Sequence, residues 1–195
     1  MRELFVVLAY LLGSVSFSII VVRLIARKDI REEGSGNAGA TNVLRNHGAK
    51  AGIAVALLDI AKGAAAVWAM ERLTADPRYL AAAAFAVVLG HVFPAFFRFR
   101  GGKGVATMVG AFLVLTPGAT AVAMALFVVV VALTRYVSLG SVLGASALPP
   151  IAHFLFGASD PAVLAAGAAA LVVLSRHVEN LKRLAAGTER RLGGK

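Results

Sequence analysis

Residues 105–133 read VATMVGAFLVLTPGATAVAMALFVVVVAL, without a single charge. One membrane span takes about 20 apolar residues, so this run is long for one crossing and short for two. Thr116, Pro117 and Gly118 interrupt it, and a proline inside a helix removes a backbone donor and collides with the preceding turn. Read as two crossings meeting at the proline, the run brings the total to seven; read as one, it leaves six. The other spans are Leu4 to Val22, Ala51 to Met70 (apolar apart from Asp59 and Lys62), Tyr79 to Phe97, Val137 to Phe156 and Pro161 to Ser175.

Charge decides the count. With seven spans, 16 of the 20 lysines and arginines fall on one side: Arg23, Arg27, Lys28, Arg31, Arg45, Lys50, Arg98, Arg100, Lys103, Arg135 and the tail from Arg176 to Lys195. The other side holds only Arg2, Arg72 and Arg78, with Lys62 inside the membrane. A single long span sends Arg135 and the basic tail across, against the rule that cytoplasmic loops carry the excess of Lys and Arg. The expectation is an all-α integral membrane protein, a bundle of seven transmembrane helices with the N-terminus outside and the C-terminus cytoplasmic. Residues 1–195 form one membrane-embedded domain, and no internal repeat is evident.

Composition agrees. The chain is 59% hydrophobic and 15% charged, with a mean hydropathy of +0.81, whereas soluble domains are about half apolar and about a quarter charged. A soluble globular enzyme is excluded. The 39 alanines and 20 glycines, among them Gly140 and Gly144 in GxxxG spacing, let transmembrane helices approach closely. The net charge of +10 reports topology and a liking for anionic groups rather than nucleic acid. Without cysteine, thiolate catalysis and disulfides are absent. Met1 to Ala26 is read as the first span, because its apolar run is too long for a signal peptide and no cleavage site follows.

Three polar motifs fall on the cytoplasmic side. The first is the loop GSGNAGATN at 34–42, followed by Arg45. Its glycines let successive N–H groups point into one concavity suited to an anion. Ser35, Thr41 and Asn42 add neutral donors, and the Arg45 guanidinium matches phosphate. An ordinary flexible loop is the competing reading. The second runs GHVFP at 90–94, then FRGGKGVAT at 99–107. Here a glycine turn with Lys103 precedes a helix, whose free N–H groups and positive dipole end attract anions. It is no Walker loop, since Phe97 and Gly104 stand where that motif needs glycine and Ser/Thr. The third is RHVENLKRLAAGTE at 176–189, in which His177, Asn180 and Arg183 share one helical face. Asp59 and Lys62, three residues apart within the second span, read either as a structural ion pair or as a functional one.

Taken together, GSGNAGATNVLR, GHVFP with FRGGKGVAT, and RHVENLKRLAAGTE resemble the motifs of the bacterial acyl-phosphate:glycerol-3-phosphate acyltransferases, the PlsY family. Arg100 in place of lysine and Leu181 in place of isoleucine are the small departures. The resemblance implies transfer of a fatty acyl group from acyl phosphate to the 1-hydroxyl of sn-glycerol 3-phosphate. The products are lysophosphatidic acid and phosphate, and the step is the first acylation of phospholipid biosynthesis at the bacterial inner membrane. It implies catalysis by Ser35, Arg45, Lys103, His177 and Asn180. Substrate and phosphate contacts fall to Gly34, Gly36, Asn37, Gly39, Ala40, Thr41, Asn42, His91, Gly101, Gly102, Gly104, Thr107, Ser141 and Arg183. No metal and no cofactor is expected; the partners are the two substrates, the bilayer and the enzyme that makes acyl phosphate.

The residues suit that chemistry. Both substrates carry phosphate, which accounts for two glycine-plus-cation sites. An acyl phosphate is already activated, so what remains is to bring two anions together and stabilise developing charge. His177 has the ordinary pKa of a general base near neutrality; a phosphate oxygen of the donor is the alternative. The other glycerolipid acyltransferases carry His-x4-Asp, and no aspartate stands five residues after any histidine here. A transporter of a small organic phosphate is the rival outside enzymes, but such sites lie near the midplane between repeated halves.

Overall fold

The computed structural model describes residues 1–193; Lys195, counted above with the basic tail, lies outside them. The described chain is helical: α1 Arg2–Gly13, α2 Phe17–Ala26, α3 Ala40–Glu71, α4 Pro77–Val92, α5 Val105–Leu115, α6 Pro117–Thr134, α7 Val137–Phe154, α8 Asp160–Ser175 and α9 Val178–Ala185, with single 3-10 turns at Ile30–Glu32 and Ala95–Phe97. Five helical stretches are long and apolar enough to cross a membrane, counting α1 and α2 as one. A sixth is added if α8 and α9, bent by 59° to each other, form one span.

The run at 105–133 is broken where the sequence indicated. Thr116 leaves helical geometry and Pro117 opens α6 at its first turn, where its missing N–H is no loss. The resulting α5 has 11 residues, about half the length of an ordinary crossing. Two features differ from the expected spans. The first span is not continuous: α1 and α2 are separated by Ser14, Val15 and Ser16, and the Lys62 ammonium donates to the carbonyls of Gly13 (3.1 Å) and Val15 (2.7 Å) that the break leaves free. The second is preceded by a short helical segment from Ala40, set off from it at Gly48, whose φ of +85° and ψ of 171° are not helical. Thr41, Asn42 and Arg45 therefore sit on a helical turn rather than in a loop.

Small residues set the packing. A side chain on Gly63 of α3 or on Gly110 of α5 would meet the other helix's backbone, and the same holds for Gly13 of α1 against α4 and Gly90 of α4 against α1. Backbones touch at these crossings, as expected where lipid offers no hydrophobic drive and dispersion must hold helices together. The alanine-rich α4 contacts α1, α3, α5 and α8, and Ala83, Ala84, Val87 and Val88 are fully buried. Around this axis the loops 27–39 and 93–104 and the segment after α8 gather at one end of the bundle.

Candidate active site

Asn42 organises the first loop. Its amide nitrogen reaches the carbonyls of Ile30, Glu33 and Asn37, and its oxygen accepts from the Ser35 amide at 3.1 Å and from the Asn46 side chain at 3.0 Å. With those bonds made, the residue holds the shape of the loop. Gly34 and Gly36, at φ +58° and +70°, turn the chain where other residues are strained. Ser35 and Gly36 are exposed at its tip.

In the second motif the Gly101 and Gly102 amides donate to the Val92 and His91 carbonyls at 3.3 and 3.2 Å, which pins the turn against the end of α4. Gly104, at φ +88°, then starts α5, so Val105 and Ala106 present free N–H groups at a helix N-terminus. The Lys103 ammonium donates to the side-chain oxygen of Asn180.

The third motif completes a buried polar network. The His177 ring is 2% exposed, and its Nδ1 donates to the Val173 carbonyl at 2.8 Å, which leaves Nε2 as the acceptor. Asn180 donates to Glu189 Oε1 at 2.7 Å, Ser138 donates to the same oxygen at 2.9 Å, and Arg183 donates to Oε2 at 2.7 Å. Arg45 reaches over from α3 to the Arg190 carbonyl at 3.0 Å.

These groups line one cavity of about 830 Å³. Its wall carries Ser35, Arg45, Lys103, His177, Asn180 and Arg183, the loop residues Gly34, Gly36, Asn37, Gly39, Ala40, Thr41 and Asn42, and His91, Gly104 and Ser141. Three expected contact residues stand behind it instead. Gly101 and Gly102 are buried by their bonds to α4, and Thr107 is buried on the face of α5 that meets Gly63. Glu189 and Ser138, unremarked as site residues, are central. Glu189 lay within the third motif as quoted, whereas nothing in the sequence distinguished Ser138 from any serine in an apolar helix.

The electrostatics favour anions. Arg45, Lys103, Arg176, Arg183 and Arg190 line the cavity against Asp59, Glu179 and Glu189. Burial, and then the charges of Arg183, Arg176 and Arg45, lower the Lys103 pKa to about 8, with Glu189 opposing. Burial, and then the Lys103 charge, lower that of His177 to about 4. Burial alone would raise the Glu189 carboxyl, but hydrogen bonds from Asn180, Arg183 and Ser138 outweigh it and hold the group below its ordinary value. Among the described residues no three His, Asp or Glu side chains gather as a metal site. On its membrane side the cavity shares Val105, Val109, Met124, Phe127 and Ser141 with a narrow apolar pocket of about 30 Å³ between α5, α6 and α7. Such a wall offers cations and N–H groups to phosphate at one end and meets apolar side chains at the other.

The model of the family described as glycerol-3-phosphate acyltransferase matches residues 3–187. A protein of that name from Clostridioides difficile is 46% identical over 194 residues, covering 97% of this chain and 94% of its own. One from Halalkalibacterium halodurans is 43% identical, with 98% and 96% covered. The crystal structure of PlsY, an integral membrane glycerol 3-phosphate acyltransferase in its glycerol 3-phosphate form, superposes with a TM-score of 0.93 at 36% identity, covering 98% of this chain and 96% of that one. Its lysophosphatidic acid form gives 0.89 at 35%. With apolar helices packed as in that enzyme and a family match over almost its whole length, the chain belongs to the glycerol-3-phosphate acyltransferases, integral membrane acyltransferases of phospholipid biosynthesis.

Proposed function

We propose that the chain transfers a fatty acyl group from acyl phosphate to the 1-hydroxyl of sn-glycerol 3-phosphate, releasing lysophosphatidic acid and inorganic phosphate. The observation that carries this reading is the cavity itself, in which two separate glycine-plus-cation arrangements share one wall that continues into an apolar pocket. Two phosphate-bearing substrates, one with a hydrocarbon tail, match that layout. The two crystal structures of the related PlsY, one the glycerol 3-phosphate form and one the lysophosphatidic acid form, support both the acceptor and the product.

In this reading Arg45, Ser35 and the donors of the first loop hold the glycerol 3-phosphate. Lys103 and the free N–H groups of α5 hold the phosphate of the donor, and Asn180 and Arg183 complete the wall. The glycerol oxygen attacks the acyl carbon, the bond from that carbon to the bridging phosphate oxygen breaks, and phosphate leaves. A pKa near 4 keeps His177 neutral at physiological pH and makes it a weak base. Its Nε2 accepts the hydroxyl hydrogen bond and orients the nucleophile, while a phosphate oxygen of the donor takes the proton. Preorganised N–H groups and cations stabilise the developing charge. Ser35 acts as a hydrogen-bond donor and forms no acyl-enzyme.

The same proposal includes seven spans, with α5 as a short fourth one, the N-terminus outside, and the cavity facing the cytoplasm of a bacterial inner membrane. The basic loops on the cavity side support it. An enzyme that makes acyl phosphate is the expected neighbour in metabolism.

The test is phosphate release by the purified protein given palmitoyl phosphate and glycerol 3-phosphate with chelator present, with lysophosphatidic acid followed in parallel and palmitoyl coenzyme A as the comparison donor. Equal formation of both products from acyl phosphate alone is expected. Turnover with the thioester and none with acyl phosphate would overturn the donor assignment.

A further inference from the structure

Three buried ionisable side chains of α3 and α4 stand together inside the bundle, two of which, Asp59 and His91, reach the wall of the cavity. Asp59 is 1% exposed, Lys62 3% and His91 6%. The Lys62 ammonium stands 2.8 Å from Asp59 Oδ1, and His91 Nδ1 approaches the same oxygen at 3.5 Å. Neither Oδ1 nor Nδ1 makes a hydrogen bond of good geometry among the described residues. Lys62 is explained by the broken first span, whose carbonyls it serves, and Asp59 by the need to neutralise Lys62. His91 is explained by neither.

The other edge of the His91 ring faces the glycine loop. A methyl group on Gly102 would overlap His91 Nε2 and lie 2.6 Å from the Ala38 carbonyl oxygen. The Gly102 amide also donates to the His91 carbonyl at 3.2 Å. The loop thus rests on the ring, the ring faces Asp59, Asp59 pairs with Lys62, and Lys62 holds the two halves of the first span. Buried ion pairs are often no more stabilising than apolar residues of the same volume, and charges within a membrane are costlier still. What such a chain of contacts does provide is a fixed position for the residue that follows Gly102.

We propose that Asp59 and His91, with Lys62 as counter-ion, are positioning residues: a strut within the membrane that sets the height of the glycine loop and so the place of the Lys103 ammonium. The inference rests on the reading of that loop as a phosphate site. Its consequence is selective. Displacing the strut weakens the ligand whose phosphate Lys103 holds far more than the other substrate, because the first loop, although its Ala38 carbonyl meets Gly102, has its own anchor in Asn42.

The experiment measures binding of glycerol 3-phosphate and of an acyl phosphonate, a non-hydrolysable donor analogue, to the full chain in micelles by calorimetry. Lys103→Met identifies which ligand the loop holds. His91→Gln and Asp59→Asn, both close to the parent in volume, are then expected to weaken that same ligand about tenfold to a hundredfold, as the loss of one hydrogen bond to a charged group does. The other affinity changes no more than about twofold, and Lys103→Met added to either variant costs little more. Parent-like affinities, equal weakening of both ligands, or full additivity with Lys103→Met would each overturn the strut. If Asp59→Asn fails to fold, His91→Gln, which leaves the ion pair intact, decides alone. A Lys103→Met variant that binds both ligands like the parent overturns the loop reading and the strut with it. Binding needs no turnover, so a parent that binds both ligands without transferring the acyl group refutes only the donor assignment.

Discussion

Glu189 is the acceptor at the centre of the site, and replacing it separates its shape from its charge. In Glu189→Ala the Ser138 hydroxyl and the Asn180 amide, both buried, lose their acceptor, at about 1–3 kcal/mol for each orphaned donor. The Arg183 side chain is 42% exposed, so water replaces most of what it loses and its share is about 0–1 kcal/mol. The expected total is about 4 kcal/mol, or a fall of about 10 °C in the thermal midpoint of the protein in micelles. Glu189→Gln keeps an oxygen for Ser138 and Asn180 and turns an amide toward Arg183, so its cost stays near about 1 kcal/mol. Activity separates the two effects. The Glu189 charge favours the ammonium of Lys103; removing it lowers the Lys103 pKa further below about 8, and the alkaline limb of kcat/KM moves to lower pH. Calorimetric or fluorescence melting ranks the stabilities, and a pH series of initial rates reads the limb. A Gln variant as unstable as the Ala variant would refute the acceptor argument. A Gln variant with an unmoved alkaline limb would refute the coupling to Lys103.

Three further expectations follow from the same geometry. Lys103, with its pKa lowered to about 8 by burial first and then by neighbouring arginines, loses its charge as pH rises through that value, so kcat/KM of the parent falls there; Lys103→Arg stays charged, and a Lys103→Arg profile that still falls near pH 8 would show that another group titrates. A side chain at Gly144 points toward Ala123 and Phe127, with a Cβ 3.2 Å from the Ala123 carbonyl oxygen, so Gly144→Val fills the pocket between α6 and α7; rates with palmitoyl phosphate should drop about tenfold or more relative to a donor several methylenes shorter, and equal losses on both would remove the pocket from the path of the acyl chain. Because the chain has no cysteine, Arg2→Cys and Thr188→Cys serve as single labels, and a membrane-impermeant maleimide added to intact cells should modify the first and not the second; the reverse pattern would invert the proposed orientation.

How far the sequence alone could go is clear from particular elements. Pro117 and the charge on either side of it located the break between α5 and α6, because both the steric rule and the charge bias act locally. The break between α1 and α2 was invisible, since Ser14, Val15 and Ser16 carry no turn signal and what stabilises the gap is Lys62, 49 residues from Gly13 in sequence. The helical segment before Gly48 was missed for the opposite reason: glycine and asparagine read as loop, yet Asn42 sits on a helical turn while its side chain ties Ser35, Ile30 and Asn37 together.

The same distinction runs through the site. Residues whose chemistry is self-evident, a lysine between glycines or an arginine after a polar loop, were legible because an anion needs little more than charge and N–H groups. Glu189 was not, because a carboxylate in a phosphate site reads as the wrong sign. Its sign makes sense only with its surroundings: Ser138, Asn180 and Arg183 all donate to this one carboxylate, in a cavity that would otherwise gather donors and cations with nothing to space them. One buried negative charge keeps the Lys103 ammonium protonated and Asn180 turned toward it, and so readies a wall of donors for a ligand that brings its own negative charge. In the proposed reaction the site therefore depends on a repulsive element as much as on attractive ones: Glu189 already pairs with Arg183, so the phosphates are left Arg45 and Lys103, which bind no carboxylate among the described residues.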